Sequence, residues 1–281
     1  MKPNDYNTSY KPTWCPGCGN FGIWAAIKAA LAELNIPAHK VVITWDIGCI
    51  GNGANTIKCY SFHSLHGRAL PVAVGAKLAN KDLTVLALAG DGGAYGEGTN
   101  HLIHAARYNS DVTLIVANNK SFSLTTGQAS PTSDLGYVSK TTPWGEIKEP
   151  INPMALSLVS GASFVARAPA FDLPHLTKVI KQGVAHQGFS HVDVLQQCVT
   201  FNKVNTVAWY RKRIYKLEEN FYKSNDIKSA IDKCLESNKL PVGIFYEKKK
   251  KGYGQLLDKT PKIKAIDQEI KFDKKMLGEF K

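Results

Sequence analysis

The sequence predicts an α/β fold, a parallel sheet flanked by helices, and three observations carry that expectation. Two short apolar runs, residues 83–89 and 112–117, end at Gly90 and at Asn118-Asn119, the pattern of strands buried on both faces. Residues 99–108 between them are suited to a helix, so the unit reads strand–helix–strand, most simply a parallel pair with a right-handed crossover. The same alternation recurs on either side, from the β-branched VVITW at 41–45 to the strand expected at 192–197.

In chain order, Trp14-Cys15-Pro16-Gly17-Cys18-Gly19-Asn20 precedes a helix, because Ile23, Ile27, Ala30, Leu31 and Leu34 recur at helical spacing. Asn35, Pro37 and His39 mark a loop, and the strand at 41–45 runs into the glycine-rich Asp46-Ile47-Gly48-Cys49-Ile50-Gly51-Asn52-Gly53. Residues 56–66 read as irregular, and His66-Gly67-Arg68 leads into an alanine-rich packing helix at 69–78. After the central unit, residues 121–150 are rich in Gly, Pro, Ser and Thr, a loop long enough to be functional or mobile. A helix at 153–160, a strand at 163–167, a helix at 172–187 and a strand at 192–197 follow, the last ending at Cys198. From residue 211 the pattern changes to a short helix at 227–235 and a lysine run at 248–251. The expected organisation is a domain over 1–210 and a basic C-terminal extension, 211–281, packing on that domain or on a partner.

A chain of 281 residues, 44% of them hydrophobic, accommodates one large domain with an appendage. The net charge of +12 invites a nucleic-acid reading, but residues 211–281 hold 19 Lys+Arg against 11 Asp+Glu. The excess lies away from any recognition motif, so a solvated lysine-rich surface is expected, with no nucleic-acid partner. Such a field also suits steering of an acidic protein partner. No apolar run approaches the ~20 residues that span a bilayer, and the polar start MKPNDYNTSYKPTW has no secretory core. A cytoplasmic protein without membrane contact is expected.

Asp91 and Asn119 fall at the carboxyl ends of two parallel strands, where open α/β sheets bind ligands. Two hard oxygen ligands beside a glycine-rich backbone suit a magnesium ion that holds a diphosphate. The plainer reading makes GDGG a turn and NN a strand end. Among six cysteines, Cys15-x-x-Cys18 forms a knuckle, and Cys49 and Cys198 follow strands at the same sheet edge. Cys59 and Cys234 lie in a loop and a helix and are set aside as spare. A disulfide framework does not suit a cytoplasmic chain. A thioredoxin-like pair is weak because Cys15 follows no strand; a structural zinc and an iron–sulfur cluster both remain open on chemistry alone.

GDG followed by NN after one crossover resembles the thiamine-diphosphate motif. Moreover, WCPGCGNFG, IGC, LHGRA, GDGG, NN, LTTGQASPT and LQQC stand in the order found in the β subunit of 2-oxoacid:ferredoxin oxidoreductases, over roughly residues 14–215. The resemblance implies a thiamine-diphosphate-binding fold that uses thiamine diphosphate, Mg2+ and one 4Fe–4S cluster. By position, Cys15, Cys18, Cys49 and Cys198 would hold the cluster, and Asp91, Asn119 and the Ser121 carbonyl would hold magnesium. Gly92 and Gly93 would admit the phosphates, with Ile47, Gly48, Cys49, Ile50, His66, Ser123 and Leu124 lining the cofactor.

The activity so implied is coenzyme A-dependent oxidative decarboxylation of a 2-oxoacid, pyruvate and/or 2-oxoglutarate, with electrons passed to ferredoxin. A partner α subunit, or α plus γ, would supply the glutamate that activates the cofactor, because Glu97 and Glu146 lie in no second thiamine domain. A heterodimer or dimer of heterodimers is expected, with no certain catalytic residue in this chain. Departures fall at Phe122, Ser123 and Thr126, where the family often reads YGLTKGQ or YGMTGGQ, and at Trp45 and Asp46. Arg68 reads equally as a polar candidate for the site and as a helix-start ion pair or packing contact, and His101 and His104 read as structural or partner-facing. The alternatives are a non-redox thiamine-dependent decarboxylase subunit and a zinc-stabilised basic binding protein.

Overall fold

The computed structural model describes residues 1–256 and Asp267. Its strands are β1 (Val41–Trp45), β2 (Tyr60–His63), β3 (Thr84–Gly90), β4 (Thr113–Asn118), β5 (Phe164–Pro169), β6 (Ser190–Leu195), β7 (Ile214–Lys216) and β8 (Leu240–Glu247). Its main helices are α1 (Asn20–Glu33), α2 (Ala69–Ala79), α3 (Thr99–Tyr108), α4 (Pro153–Val159), α5 (Leu173–Ala185), α6 (Val207–Arg211) and α7 (Ile227–Cys234). The strands form one sheet in the order β2-β1-β3-β4-β6-β5-β8-β7, every pair parallel except β5 with β8.

Alternation along β3 explains its unbroken apolar sequence. Leu86 and Leu88 face one core layer with Ile27, Leu31 and Ile180 of α1 and α5; Val85, Ala87 and Ala89 face another with Leu102 of α3 and Leu158 of α4. Residues 85–89 are therefore buried whichever way they point, which is why the apolar run is continuous. Helix starts follow their caps: Asn152 Oδ1 accepts Ala155 N–H at 3.1 Å ahead of Pro153, and Asp172 Oδ1 accepts His175 N–H at 3.2 Å.

One departure from expectation is physical. Residues 60–63 are not irregular but pair with β1 as an edge strand, Val42 opposite Tyr60. All four side chains of β2 are exposed, so no buried-strand pattern marked it. In the expected extension, 211–256 builds β7 and β8 into the same sheet, β8 meeting β5 with a bulge between Val165 and Ala166. The remainder of that extension, apart from Asp267, lies outside the described residues. No helix among the described residues is long and apolar enough to cross a membrane.

Candidate functional site

Four neighbouring strands, β1, β3, β4 and β6, deliver their carboxyl ends to one rim of the sheet. Gly90 lies opposite Ala117, and Asn118 opposite Leu195, so Asp91, Asn119 and Gln196 emerge side by side. Asp46 N–H donates to Leu88 O at 2.8 Å and brings the first loop to the same rim. There a cleft of about 110 Å³ is lined by Ile47, Gly48, Cys49 and Ile50, by His66, by Asp91, Gly92 and Gly93, and by Asn119, Ser121, Ser123 and Leu124. Every residue expected to meet the cofactor or magnesium therefore faces one space.

The Asp91 carboxylate is buried and its Oδ2 accepts Ser130 Oγ at 2.5 Å and Thr132 Oγ1 at 2.7 Å. Burial pushes its pKa up to about 6 in spite of those hydrogen bonds. A cation at this carboxylate restores the ionised form, which makes Asp91 a fitting anchor for one. Asn119 Oδ1 accepts Ser121 N–H at 3.1 Å and stands 3.2 and 3.3 Å from the hydroxyls of Ser121 and Ser123. Between β3 and α3 the chain makes one wide π-helical turn, Gly93–Glu97, a form that recurs at functional sites. A Cβ on Gly92 would stand 2.1 Å from the Phe122 ring, and one on Gly93 2.1 Å from Asp46 Oδ2. Both positions exclude any side chain, and the backbone stays open to the cleft.

A buried polar chain backs this anchor. Thr132 Oγ1 also lies 2.9 Å from Asn118 Oδ1, and Asn118 Nδ2 donates to Asp193 Oδ1 at 3.0 Å. Arg167 Nε donates to Asp193 Oδ2 at 3.0 Å and Tyr95 OH to Asp193 Oδ1 at 2.9 Å. With Tyr95 so engaged, His191 Nε2 donates to the Tyr95 oxygen at 2.7 Å, and its Nδ1 accepts from Ser157 Oγ at 2.8 Å. Burial lowers the His191 pKa to about 4, so the ring is neutral near pH 7.

A second cavity of about 180 Å³ gathers Cys15, Cys18, Cys49 and Cys198. Thr200 Oγ1 donates to Cys15 Sγ at 3.2 Å, Gln196 Nε2 to Cys18 Sγ at 3.4 Å, and Ser123 Oγ and Phe201 N–H to Cys198 Sγ at 3.3 and 3.4 Å. Burial pushes the Cys49 thiol up to about 11, with further upward contributions from Cys18, Cys198 and Cys15. Burial also raises Cys18, again with neighbouring thiols adding to it. At Cys198 burial acts upward too, but hydrogen bonds from Ser123 and from backbone N–H groups outweigh it and the pKa is lowered. Four mutually repelling sulfurs with hydrogen-bond donors around them suit a positively charged inorganic group. Among the described residues no three His, Cys, Asp or Glu side chains converge as ligands of a single metal ion; the thiols surround a volume instead. Cys59 and Cys234 stand apart from this set, Cys59 against Ser61 and Cys234 in the core.

The two cavities share a wall made of Cys49, Asn119, Ser123 and Leu124. Two further residues of that region escaped sequence reasoning. Gln196 Nε2 donates to Asn20 Oδ1 at 2.8 Å, both residues line the first cleft, and both are buried. Gln196 Oε1 and Asn20 Nδ2 are buried with no hydrogen-bond partner among the described residues. The signal is their position: each sits inside a cysteine motif, CGN or LQQC.

His66 lies on the cleft with Nδ1 3.6 Å from Glu97 Oε2. Arg68 donates to Glu97 O at 3.0 Å and stands 2.9 Å from His101 Nε2, while His104 packs near the Tyr108 ring. Glu146 accepts the backbone N–H groups of Ile147 and Lys148 at 3.0 and 2.9 Å, a loop-closing role.

Residues 46–194 match the thiamine pyrophosphate enzyme family through its C-terminal TPP binding domain, and residues 198–262 match the C-terminal part of the pyruvate ferredoxin oxidoreductase β subunit. The chain is 44% identical over 247 residues to a 2-oxoacid:ferredoxin oxidoreductase subunit β of Saccharolobus solfataricus, covering 83% of this chain and 81% of the relative. It is 42% identical over 202 residues to the 2-oxoglutarate oxidoreductase subunit KorB of Mycobacterium tuberculosis, covering 72% of this chain and 54% of the relative. A solved structure of 2-oxoglutarate:ferredoxin oxidoreductase from Magnetococcus marinus, with 2-oxoglutarate, coenzyme A and succinyl-CoA bound, superposes with a TM-score of 0.91 at 35% identity, covering 100% of this chain and 96% of that one.

Proposed function

The chain belongs to the β subunits of the 2-oxoacid:ferredoxin oxidoreductases, and on that premise we propose that it is the thiamine-diphosphate- and cluster-binding half of an enzyme that oxidatively decarboxylates a 2-oxoacid. The substrates are pyruvate and/or 2-oxoglutarate, coenzyme A takes the acyl group, and ferredoxin takes the electrons. One observation carries the reading: the cleft with the anchoring carboxylate and the cavity with four thiols meet at a common wall that includes Cys49. Juxtaposition of a carbanion-stabilising cofactor with an electron acceptor is what an oxidative, rather than simple, decarboxylation requires.

Thiamine diphosphate, when bound, supplies the electron sink that lets a 2-oxoacid lose carbon dioxide. The protein's part is holding and shielding. Asp91 and Asn119 side chains and the Ser121 carbonyl would hold Mg2+ against the diphosphate, a hard-oxygen set that suits this ion. Gly92 and Gly93 leave the backbone bare where phosphate oxygens approach. Ile47, Gly48, Cys49, Ile50, Leu124 and His66 would line the rest of the cofactor. Cys15, Cys18, Cys49 and Cys198 would hold one 4Fe–4S cluster, with hydrogen bonds at three of the sulfurs setting its potential.

Half of the site faces outward. Ile47 is 39% and Leu124 48% exposed on the cleft, an apolar mouth for the α subunit, alone or with γ, to close in a heterodimer or dimer of heterodimers. The activating glutamate is assigned to that partner. Glu97 is paired with His66 and Glu146 is turned onto its own backbone. The non-redox decarboxylase and the zinc-stabilised binding protein give way to the family assignment. The test is anaerobic co-purification with the partner, iron and zinc analysis, and a 2-oxoacid panel with coenzyme A and ferredoxin. Expected are about four irons per chain and turnover only in the assembled enzyme. Zinc without iron, or full activity of the isolated chain, overturns the proposal.

A further inference from the structure

Ser123 lines both cavities, and its hydroxyl stands among three acceptors: Ser121 Oγ at 2.7 Å, Asn119 Oδ1 at 3.3 Å and Cys198 Sγ at 3.3 Å. A serine hydroxyl has one proton to give, so it serves one of them at a time. The side chain is buried, 6% exposed, so bulk water does not stand in for the acceptor it leaves. Asn119 Oδ1 also receives the Ser121 N–H at 3.1 Å and has the Ser121 hydroxyl at 3.2 Å, so three donors compete for an oxygen with two lone pairs. One hydroxyl proton is thus poised between the proposed magnesium ligand and the proposed cluster ligand.

We propose that Ser123 is a positioning residue that couples the two sites: when Mg-diphosphate engages Asn119 Oδ1, the Ser123 proton is committed to Cys198 Sγ, and the cluster becomes easier to reduce. The inference rests on the reading of both sites given above. The direction follows from electrostatics. A cluster gains one negative charge when it takes an electron, and a hydrogen bond to a ligating sulfur stabilises the more negative form. Cys198 already has this donor within reach, the Ser123 hydroxyl standing 3.3 Å from its Sγ. The coupling would keep the cluster a poor acceptor until the cofactor that delivers electrons is in place.

The test is a reductive titration with dithionite, followed by electron paramagnetic resonance, of the full chain assembled with its partner, with and without thiamine diphosphate and Mg2+. In the native protein, loading is expected to raise the midpoint potential of the β-subunit cluster. In Ser123→Ala the midpoint is expected to fall, with a change of about tenfold in the reduction equilibrium, or 59 mV for one electron, and the rise on loading to disappear. Ser123→Gly is the second variant, since it removes the same hydroxyl with no side chain to misplace. Variants that keep both the native midpoint and the native rise overturn the coupling while leaving the cluster assignment standing. Native protein without iron overturns the cluster assignment, and the coupling falls with it.

Discussion

Gly92 lies directly beneath the ring of Phe122, close enough that a Cβ would stand 2.1 Å from Cε1 and 2.5 Å from Cδ1. The ring projects from the turn that Phe122 closes by donating its N–H to Gln128 O at 2.9 Å, which fixes the backbone that carries it. The glycine after Asp91 and the aromatic residue after Ser121 are therefore one steric unit, although 30 positions separate them in the sequence.

Gly92→Ala is expected to overpack this contact at a cost of about 1–3 kcal/mol and to push the ring or the turn into the cleft. Thermal denaturation checks it: the variant should melt lower than the native chain and lose the upward shift given by thiamine diphosphate with Mg2+. Gly92→Ala combined with Phe122→Leu should recover part of both losses, because contacting residues couple. Additive effects in the double variant count against the contact.

Thr132→Val removes a hydroxyl within 2.7 Å of Asp91 Oδ2 and 2.9 Å of Asn118 Oδ1 while keeping shape. Supporting partners of a metal ligand typically contribute 10–100-fold in affinity. Magnesium-dependent cofactor binding, measured by titrating Mg2+ at fixed thiamine diphosphate, is expected to weaken by about that factor. Unchanged magnesium dependence would show that Ser130 alone orients the carboxylate.

Much of this arrangement was legible beforehand, and the reasons are physical. Continuous apolar runs at 83–89 and 112–117 had to be doubly covered strands, and β3 (Thr84–Gly90) and β4 (Thr113–Asn118) lie there. Their turn residues, Asp91 and Asn119, thereby had to share a sheet edge. Strand β2 left no trace because an edge strand with every side chain exposed has no burial to impose a pattern. The network behind Asp91 was equally silent: Tyr95, Asn118, Thr132 and Arg167 come from segments separate from one another and from β6, which carries His191 and Asp193, and only tertiary pairing brings them together. Gln196 and Asn20 stood in plain view but looked like punctuation around cysteines.

Asp193 is fully buried and its ion pair with Arg167 is likewise sheltered, side chains 0% and 10% exposed. Removing one partner of such a pair leaves an uncompensated charge and costs about 3–5 kcal/mol. Arg167→Met is expected to destabilise by that order in urea unfolding. Arg167→Met with Asp193→Asn should recover part of the loss, since the amide removes the unpaired charge while its oxygen still accepts from Tyr95 and Asn118. A single variant as stable as the native chain would mean that the network is not held by this charge pair.

His191 gives a pH dependence whose sign is fixed. Its pKa is lowered to about 4 by burial, against 6.5 for an exposed ring. Above pH 6.5 both native and unfolded chains hold the ring neutral, and its full contribution to stability is present. As pH falls from about 6.5 towards 4 the unfolded chain takes up a proton that the native chain does not, so stability falls by at most about 1.4 kcal/mol per pH unit. Asp91 acts in the opposite sense over much of the same range in the cofactor-free protein, because its pKa is raised to about 6 by burial and the native state protonates first. The His191 part is therefore read as a difference between the native chain and His191→Asn, both measured by chemical unfolding at several pH values. The native chain should be the more stable at pH 7, where Tyr95 and Ser157 are both satisfied by the ring. Its advantage should shrink steadily between pH 6.5 and pH 4.5. An advantage that stays constant across that interval would mean that His191 takes up its proton equally in both states, and the buried neutral ring would have to be abandoned.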